Sequence, residues 1–286
     1  PLIGLSLGGP DVSALQQRLP TDKVPMILGS AATGFSWRPN QWVMATRPTF
    51  VHEFSGFVEW FQKTKAGGSR PVKVAMFTTE ASPTFADLAK GMNAYAKANP
   101  AMIDLVEMVY VEPQPADVTL QLRRVLNAGA ELVLVPTNIQ QAVAVKRAMQ
   151  ALGKNVPIAY SIHNSPAMLQ KLVGGLSAME GDYEVHSGVI ATEEDTEVKR
   201  FYDMLVAKYG MKAPWHSLTT VGMSQALVMV RAVEAAARKH GGDKLTGEML
   251  YKTLIDTNFA GKDFFGYSGG DIDYSVEAPF PTRDPD

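Results

Sequence analysis

Short apolar segments alternate with longer amphipathic segments along most of this 286-residue chain. The apolar segments have the length and composition of β-strands, and they cover residues 2–7, 24–28, 42–45, 72–77, 104–110, 132–135 and 157–160. The helices predicted between them cover residues 51–63, 84–98, 118–128 and 140–152. Such alternation predicts an α/β fold with parallel sheets, right-handed crossovers and helices on both faces of each sheet.

The pattern changes after Gly181, where the next three predicted elements are mostly helical. They cover residues 193–209, 218–240 and 246–257. The middle helix carries a long series of alanine, valine and methionine, and it ends at Gly241 and Gly242, which are typical helix terminators. Its apolar density predicts a helix that is buried against a sheet.

Two of the predicted strands end in runs of very small residues. The first strand ends at Gly8 and Gly9, and the second ends in the run GSAATG at residues 29–34. Small residues let a ligand approach the backbone, and open α/β sheets bind ligands at the carboxyl ends of their strands. The helix that begins after Gly9 offers free N–H groups to an anion, and the hydroxyls of Ser30 and Thr33 suit a carboxylate. The alternative is a pair of tight strand-to-helix turns that hold no ligand.

The first 50 residues resemble the type I periplasmic solute-binding proteins of ABC importers, in particular the branched-chain amino acid family. The matching stretch is LIGLSLGGPDVSALQQRLPTDKVPMILGSAATGF at residues 2–35. It is followed by the aromatic-rich RPNQWVMATRPTF, which is similar to that family's entry into its second lobe. The resemblance continues at decreasing specificity along nearly the whole chain.

This resemblance implies which residues bind the ligand in the first lobe. The family holds the carboxylate and ammonium of an amino acid with a serine-containing loop after one strand and an Ala-Thr loop after the next. Gly8 and Gly9 stand where the first serine would be. Ala31, Ala32 and Thr33 match the second loop.

The fold implied by the resemblance is a Venus flytrap, in which two Rossmann-like lobes with parallel sheets are joined by a three-crossing hinge. Lobe 1 is expected at residues 1–47 and 189–266, and lobe 2 at residues 48–188 and 267–286. The hinge crossings are expected near residues 45–49, 185–189 and 266–272. Because the first strand begins almost at the first residue, we expect lobe 1 to be incomplete, with β-α units missing before it and one or more strands missing after Asp286.

The second lobe is expected to add three loops to the site, each at the carboxyl end of a strand. In the family, the first two loops carry a tyrosine and the third carries an acidic residue that binds the ammonium. The corresponding neighbourhoods of this chain hold Thr84 with Phe85, Asn138, and His163 with Asn164. The chain departs from the family in all three, and no carboxylate stands at the third position to balance an ammonium. His163 has an alternative interpretation as a loop residue that caps the following helix.

Composition and motifs exclude several classes of function. The chain has no cysteine, which excludes disulfides, thiolate catalysis and cysteine-ligated metal sites. Its net charge of -2 shows no excess that indicates a nucleic-acid partner. No apolar run approaches the roughly 20 residues that span a bilayer. A phosphate-binding loop, a nucleophile elbow and a dinucleotide-binding signature are all missing, so we expect no enzymatic activity, no cofactor and no metal.

The expected function is the capture of a small organic solute, an amino acid or a related carboxylate, between two lobes. Closure on the ligand converts binding into a shape that the permease subunits of an ABC transporter in the membrane can recognise. The expected location is periplasmic or extracellular, with membrane association if the full-length protein is lipidated. Two alternatives stay open: a ligand-sensing regulatory protein of the same fold, which binds an amide or an amino acid, and an α/β enzyme that uses the same crevice.

Overall fold

The computed structural model describes residues 3–30, 32, 42–188, 195–267 and 270–276. Two of the predicted ligand-binding residues, Ala31 and Thr33, lie outside the described residues. The chain forms two compact units. Unit 1 consists of Pro1–Phe50 and Ser187–Asp286, and unit 2 consists of Val51–His186.

The predicted helices and strands are observed with bounds that differ by a few residues, and the structure adds short elements that the sequence did not predict. The first part of the chain forms β1 (Gly4–Ser6), α1 (Gly9–Leu15), α2 (Leu19–Asp22), β2 (Met26–Leu28) and β3 (Val43–Ala45). The middle part forms α3 (Phe50–Thr64), β4 (Val72–Thr78), α4 (Pro83–Ala98), β5 (Ile103–Tyr110), α5 (Thr119–Asn127), β6 (Leu132–Val135), α6 (Ile139–Ala151), β7 (Ile158–Tyr160), α7 (Pro166–Val173) and β8 (Tyr183–Glu184). The last part forms α8 (Glu197–Tyr209), α9 (Ser217–His240), α10 (Gly247–Asp256), β9 (Asn258–Phe259) and β10 (Ile272–Asp273). Short 3-10 helices cover Ile162–Asn164, Leu176–Met179, Gly242–Lys244 and Gly261–Phe264.

Unit 1 contains a three-stranded parallel sheet in the order β1-β2-β3. The long helix α9 is buried against this sheet, as its apolar density predicts. Leu227 and Val228 of α9 belong to one core cluster with Ile27 of β2 and Met44 of β3. This core forms because α9 presents apolar side chains at helical spacing to strands whose side chains are also apolar.

A buried amide joins the carboxyl ends of β1 and β2 to α9. Nε2 of Gln225 donates to the carbonyl oxygens of Ser6 at 2.6 Å and of Ile27 at 2.9 Å. The helix comes this close to β2 because residue 29 is glycine: a Cβ atom on Gly29 would lie 2.6 Å from Cγ1 of Val221. The small residue at the end of β2 therefore serves helix packing.

The chain segment after residue 266, which we expected in the second lobe, groups with unit 1. β10 pairs with β9 in an antiparallel hairpin. Ile272 and Tyr274 are buried in the core that contains Ile27 and Met44, and the hydroxyl of Tyr274 donates to the carbonyl oxygen of Ala45 at 2.9 Å. Burial of these two large side chains holds the segment against the core of unit 1.

Unit 2 contains a five-stranded parallel sheet in the order β5-β4-β6-β7-β8. The central strands are buried on both faces, since successive side chains of β4, from Val74 to Phe77, are all fully buried. Tyr183 of the edge strand β8 lies against three aromatic side chains of α3, which are Phe57, Trp60 and Phe61. Unit 2 thus has the parallel sheet packed against helices that the alternation of apolar and amphipathic segments predicts.

A buried ion pair links α6 to the strands beside it. Nζ of Lys146 lies 2.7 Å from Oδ2 of Asp182, and the two side chains are 4% and 1% exposed. Asp182 also accepts from the backbone N–H of Ile158 at 3.1 Å and from the hydroxyl of Tyr160 at 3.2 Å. Burial raises the pKa of the Asp182 carboxyl, and the ammonium of Lys146 opposes that rise. The pair fixes the start of β8 against β7.

Among the described residues, no helix is both long enough and apolar enough to cross a membrane.

Candidate functional site

The strand order of unit 2 has a switch point of the kind that forms a crevice at the carboxyl edge of α/β sheets. β4 lies between β5 and β6, so the chain leaves β4 towards one side of the sheet and later continues on the other side. At such a switch point the loops after neighbouring strands separate and leave a crevice in which α/β proteins bind ligands. The loops at this edge include those after β4, β6 and β7, the three strands from which the sequence predicted site residues.

Hydrogen bonds hold the loops after β6 and β7 together. Oγ of Ser161 donates to the carbonyl oxygen of Pro136 at 2.8 Å, and Nδ2 of Asn164 donates to the carbonyl oxygen of Val135 at 2.8 Å. Oδ1 of Asn164 accepts from the backbone N–H of Ser161 at 2.8 Å. Asn164 is fully buried and uses both atoms of its amide in these bonds. Its observed role is to position the two loops, while a direct contact with a ligand stays a prediction.

The structure brings Phe85 and His163 together, as expected for residues of one site. Their rings meet edge to face, with centroids 5.6 Å apart and planes at 88°. Thr78, the last residue of β4, donates its hydroxyl to the carbonyl oxygen of Phe85 at 3.3 Å. The turn that contains His163 is capped by the side chain of Ser161, which accepts from the backbone N–H of His163 at 3.2 Å. Ser161 thus caps this short turn, whereas α7, the helix that we considered His163 to cap, has Ser165 as its N-cap residue and no side-chain cap hydrogen bond.

Buried polar atoms with no hydrogen-bond partner among the described residues gather on this edge. They are Oγ1 of Thr84, Oγ1 of Thr137, both Nε2 and Oε1 of Gln141, and Oγ of Ser165. Thr84 and Gln141 lie on the first turns of α4 and α6, Thr137 lies between β6 and α6, and Ser165 is the N-cap of α7. A buried polar group left unsatisfied costs about 1 to 3 kcal/mol. Such a cluster is the arrangement expected where water or a ligand supplies the missing partners.

The sequence predictions included Thr84 but missed Thr137, Gln141 and Ser165. Each of these three residues follows a strand end within a few positions, which is the signal that could have indicated them. Asn138, which the sequence did indicate, is exposed at the same edge and precedes α6 without a side-chain cap.

In unit 1 the turn after β1 is already occupied by an acidic side chain. Gly8 is the N-cap residue of α1, a helix of seven residues, and Gly9 is its buried first residue. Oδ2 of Asp11, in the first turn, accepts from Oγ of Ser6 at 3.0 Å. The positive end of the helix therefore faces a carboxylate of the chain itself at the turn where we expected an anionic ligand.

Two predicted residues of the loop after β2 are described, and they differ in role. Ser30 is buried, and its Oγ has no hydrogen-bond partner among the described residues. Ala32 is buried in a core cluster with Val12, Leu28 and Val43. Ser30 thus offers a free polar atom, whereas the side chain of Ala32 serves packing.

No group of three or more histidine, aspartate or glutamate side chains within the described part of the chain could hold a metal ion.

Comparisons with solved structures agree on the fold. The chain is similar to a branched chain amino acid ABC transporter protein from Thermus thermophilus with bound valine, with 21% identity and a TM-score of 0.82 over 98% of this chain and 72% of that chain. It is similar to a fatty acid ABC transporter substrate-binding protein from Thermomonospora curvata, with 20% identity and a TM-score of 0.76 over 94% of this chain and 65% of that chain. It is also similar to a leucine binding protein from Thermotoga maritima, with 16% identity and a TM-score of 0.73 over 96% of this chain and 73% of that chain. At these identities the likeness shows the fold alone. Comparison with curated proteins finds no match.

The comparison with protein-family models establishes the family. A model described as periplasmic binding protein matches residues 5–274. This match covers most of both units, including the loops after β4, β6 and β7 that form the candidate site. The chain belongs to the periplasmic binding protein family, and its α/β fold with parallel sheets is the type I fold of that family.

Proposed function

We propose that this chain is an extracytoplasmic solute-binding protein that captures a small organic solute, an amino acid or a related carboxylate. We further propose that it delivers the solute to the permease subunits of an ABC transporter. The family and the similar solved structures consist of solute-binding proteins rather than enzymes, which supports binding without chemical conversion. A periplasmic or extracellular location follows from the same proposal.

The observation that carries this proposal is the cluster of buried, unpartnered polar atoms at the carboxyl edge of the unit 2 sheet. The four residues of this cluster are at most 3% exposed, and their unpartnered atoms are the hydroxyls of Thr84, Thr137 and Ser165 and the amide of Gln141. Their cost to the ligand-free fold is offset when a bound solute supplies hydrogen-bond partners. Neutral hydroxyls and amides both donate and accept, so they suit a small polar molecule better than an extended apolar chain.

The similar structures are named for different solutes, so the shared fold does not determine which solute this chain binds. One is named for branched chain amino acids and another for fatty acids. Because function is set by the site rather than by the fold, the choice of solute has to come from the residues of this chain. We therefore assign the solute class from the polar atoms of the loops.

Solute binding can be tested by a thermal-shift screen of the purified chain, followed by calorimetric titration of each compound that raises the melting temperature. The screen covers amino acids, aromatic and aliphatic carboxylates, and short amides. A binding site of this kind is expected to give stabilisation that grows with the concentration of at least one compound. If no compound of these classes stabilises the chain, the proposed solute class is wrong.

Isosteric substitutions then test whether the bound solute contacts this edge of the sheet. Thr137→Val removes a buried hydroxyl without changing the side-chain shape, and we expect it to weaken the affinity by about 1 to 3 kcal/mol, which is roughly a fivefold to 150-fold increase in Kd. The matched control is Thr64→Val on the exposed end of α3, where the hydroxyl donates to the carbonyl oxygen of Trp60. An unchanged Kd for Thr137→Val would remove this edge from the site.

The delivery step has its own test. Uptake into vesicles that carry a candidate ABC permease and its ATPase is expected to require this chain together with the solute that it binds. A chain that binds the solute but never stimulates uptake would favour the sensor alternative. Recovery of a chemically altered solute would contradict both and indicate an enzyme.

A further inference from the structure

Gln141 makes the most specific demand on a bound solute. Only 1% of this residue is exposed, and both polar atoms of its amide have no hydrogen-bond partner among the residues that the structure describes. The unpartnered hydroxyls of Thr84, Thr137 and Ser165 at the same edge can rotate, so each can donate or accept. A primary amide instead presents a donor and an acceptor side by side at fixed separation. Gln141 therefore selects among chemical groups where the hydroxyls do not.

The possible partner groups differ in what they leave unsatisfied. An ammonium only donates, so it can pair with Oε1 and leaves Nε2 without a partner. A carboxylate only accepts, so it can pair with Nε2 and leaves Oε1 without a partner. A carboxamide both donates and accepts in the same plane, so it can pair with Nε2 and Oε1 of Gln141 at once. A site that leaves a buried polar group unpaired rejects the incomplete ligand strongly.

The charge of this edge gives independent support. The buried polar side chains at or after the ends of β4, β6 and β7 are hydroxyls and amides, and they are Thr78, Thr79, Thr84, Thr137, Gln141, Ser161, Asn164 and Ser165. None of them carries a charge, and Glu80 on the loop after β4 is exposed. These side chains themselves offer no counter-charge to an ammonium, and an unpaired buried charge is costly.

We propose that the solute carries a carboxamide or a closely related neutral group with a donor and an acceptor, and that Gln141 determines this specificity. The inference rests on the proposed function, since it names the chemical end of the solute that the unit 2 edge receives. The proposed function includes a carboxylate, so every test compound below carries a carboxylate at its other end.

The test compares matched compounds that share a carboxylate and differ only in the second group. The aliphatic set is glutaramate, glutarate and δ-aminovalerate, and the aromatic set is para-carbamoylbenzoate, terephthalate and para-(aminomethyl)benzoate. By calorimetric titration of the wild-type chain, we expect the carboxamide of at least one set to bind about tenfold or more tightly than its two partners. Equal affinities within both sets, or a preference for the ammonium compounds, would overturn the inference.

Substitutions at residue 141 separate specificity from folding. Gln141→Glu keeps the shape and the acceptor and introduces a negative charge, so the preference is expected to move from the carboxamide to the ammonium compound. Gln141→Leu is expected to weaken carboxamide binding by about tenfold or more. The matched control is Gln140→Leu, one residue earlier on the exposed face of α6, which should leave the preference unchanged. If Gln141→Leu does not fold, the wild-type profile and Gln141→Glu still decide the matter.

The outcomes also distinguish this inference from the proposed function. If amino acids stabilise the chain and carboxamides do not, the inference is wrong and the proposed function stands. If neither amino acids nor any compound of the two sets binds, the proposed function fails together with the inference.

Discussion

Replacing Gly29 by alanine tests how the end of β2 is built. A Cβ atom at this position would lie 2.6 Å from Cγ1 of Val221 and 2.9 Å from Oε1 of Gln225, closer than real Cβ contacts come. Both neighbours belong to α9, which is packed against the sheet, so the helix has to move or Gln225 has to turn away. The amide of Gln225 bonds to the carbonyl oxygens of Ser6 and Ile27, and such a movement breaks those bonds.

The magnitude follows from these contacts. Overpacking of a well-filled core costs about 1 to 3 kcal/mol. Ser6 keeps a second donor, the backbone N–H of Gly29 at 2.9 Å. The buried Nε2 group of Gln225 loses its two carbonyl acceptors, which costs about a further 1 to 3 kcal/mol. We therefore expect Gly29→Ala to lower the free energy of unfolding by about 2 to 6 kcal/mol.

Urea unfolding of wild type and variants measures this difference. Gly222→Ala on the same helix is the matched control, because a Cβ atom there meets nothing within 4 Å and alanine favours the helix. Adding Val221→Ala to Gly29→Ala should recover part of the loss, since it removes the atom that clashes first. If Gly29→Ala stays within about 0.5 kcal/mol of wild type, or if Val221→Ala recovers nothing, the packing explanation is wrong.

Two further predictions concern ion pairs of unit 2. Lys146→Met leaves the buried carboxylate of Asp182 without its counter-charge, and we expect a loss of about 3 to 5 kcal/mol of unfolding free energy in urea. The exposed Lys154→Met should change little, and a similar small change for Lys146→Met would contradict the role of the pair. Arg70 holds the pKa of the Glu131 carboxyl below its ordinary value of 4.5, so the pair stabilises the fold above that pH and loses its contribution as the pH falls through the lowered pKa. The stability difference between wild type and Glu131→Gln should therefore shrink in acid, and a difference that grows in acid would refute the assignment.

The fold could be predicted because its signal is local. Strands of a parallel sheet that are buried on both faces appear as apolar runs, and β6 was predicted with its observed bounds, Leu132–Val135. The place of the segment that contains Ile272 and Tyr274 could not be predicted in this way. Its strand has two residues, too few for a periodic pattern, and its position depends on a bond from Tyr274 to the distant Ala45.

The candidate site was predicted only in part, for a related reason. The positions of Thr84, Phe85 and His163 follow from strand ends, which are visible in the sequence. Gln141 has the pattern of a polar residue on an amphipathic helix, and its burial depends on the three-dimensional packing of α6. Asn164 was predicted as a ligand residue from its position, whereas its amide bonds to the backbone of a neighbouring loop that the sequence could not place beside it.

A crystal structure of this chain with the tightest-binding solute of the screen tests the central claim most directly. We expect polar atoms of the solute within about 3.2 Å of the hydroxyl of Thr137 and of the amide of Gln141. A solute bound elsewhere, with those buried atoms still lacking a solute partner, would contradict the claim that this edge of the sheet is the binding site.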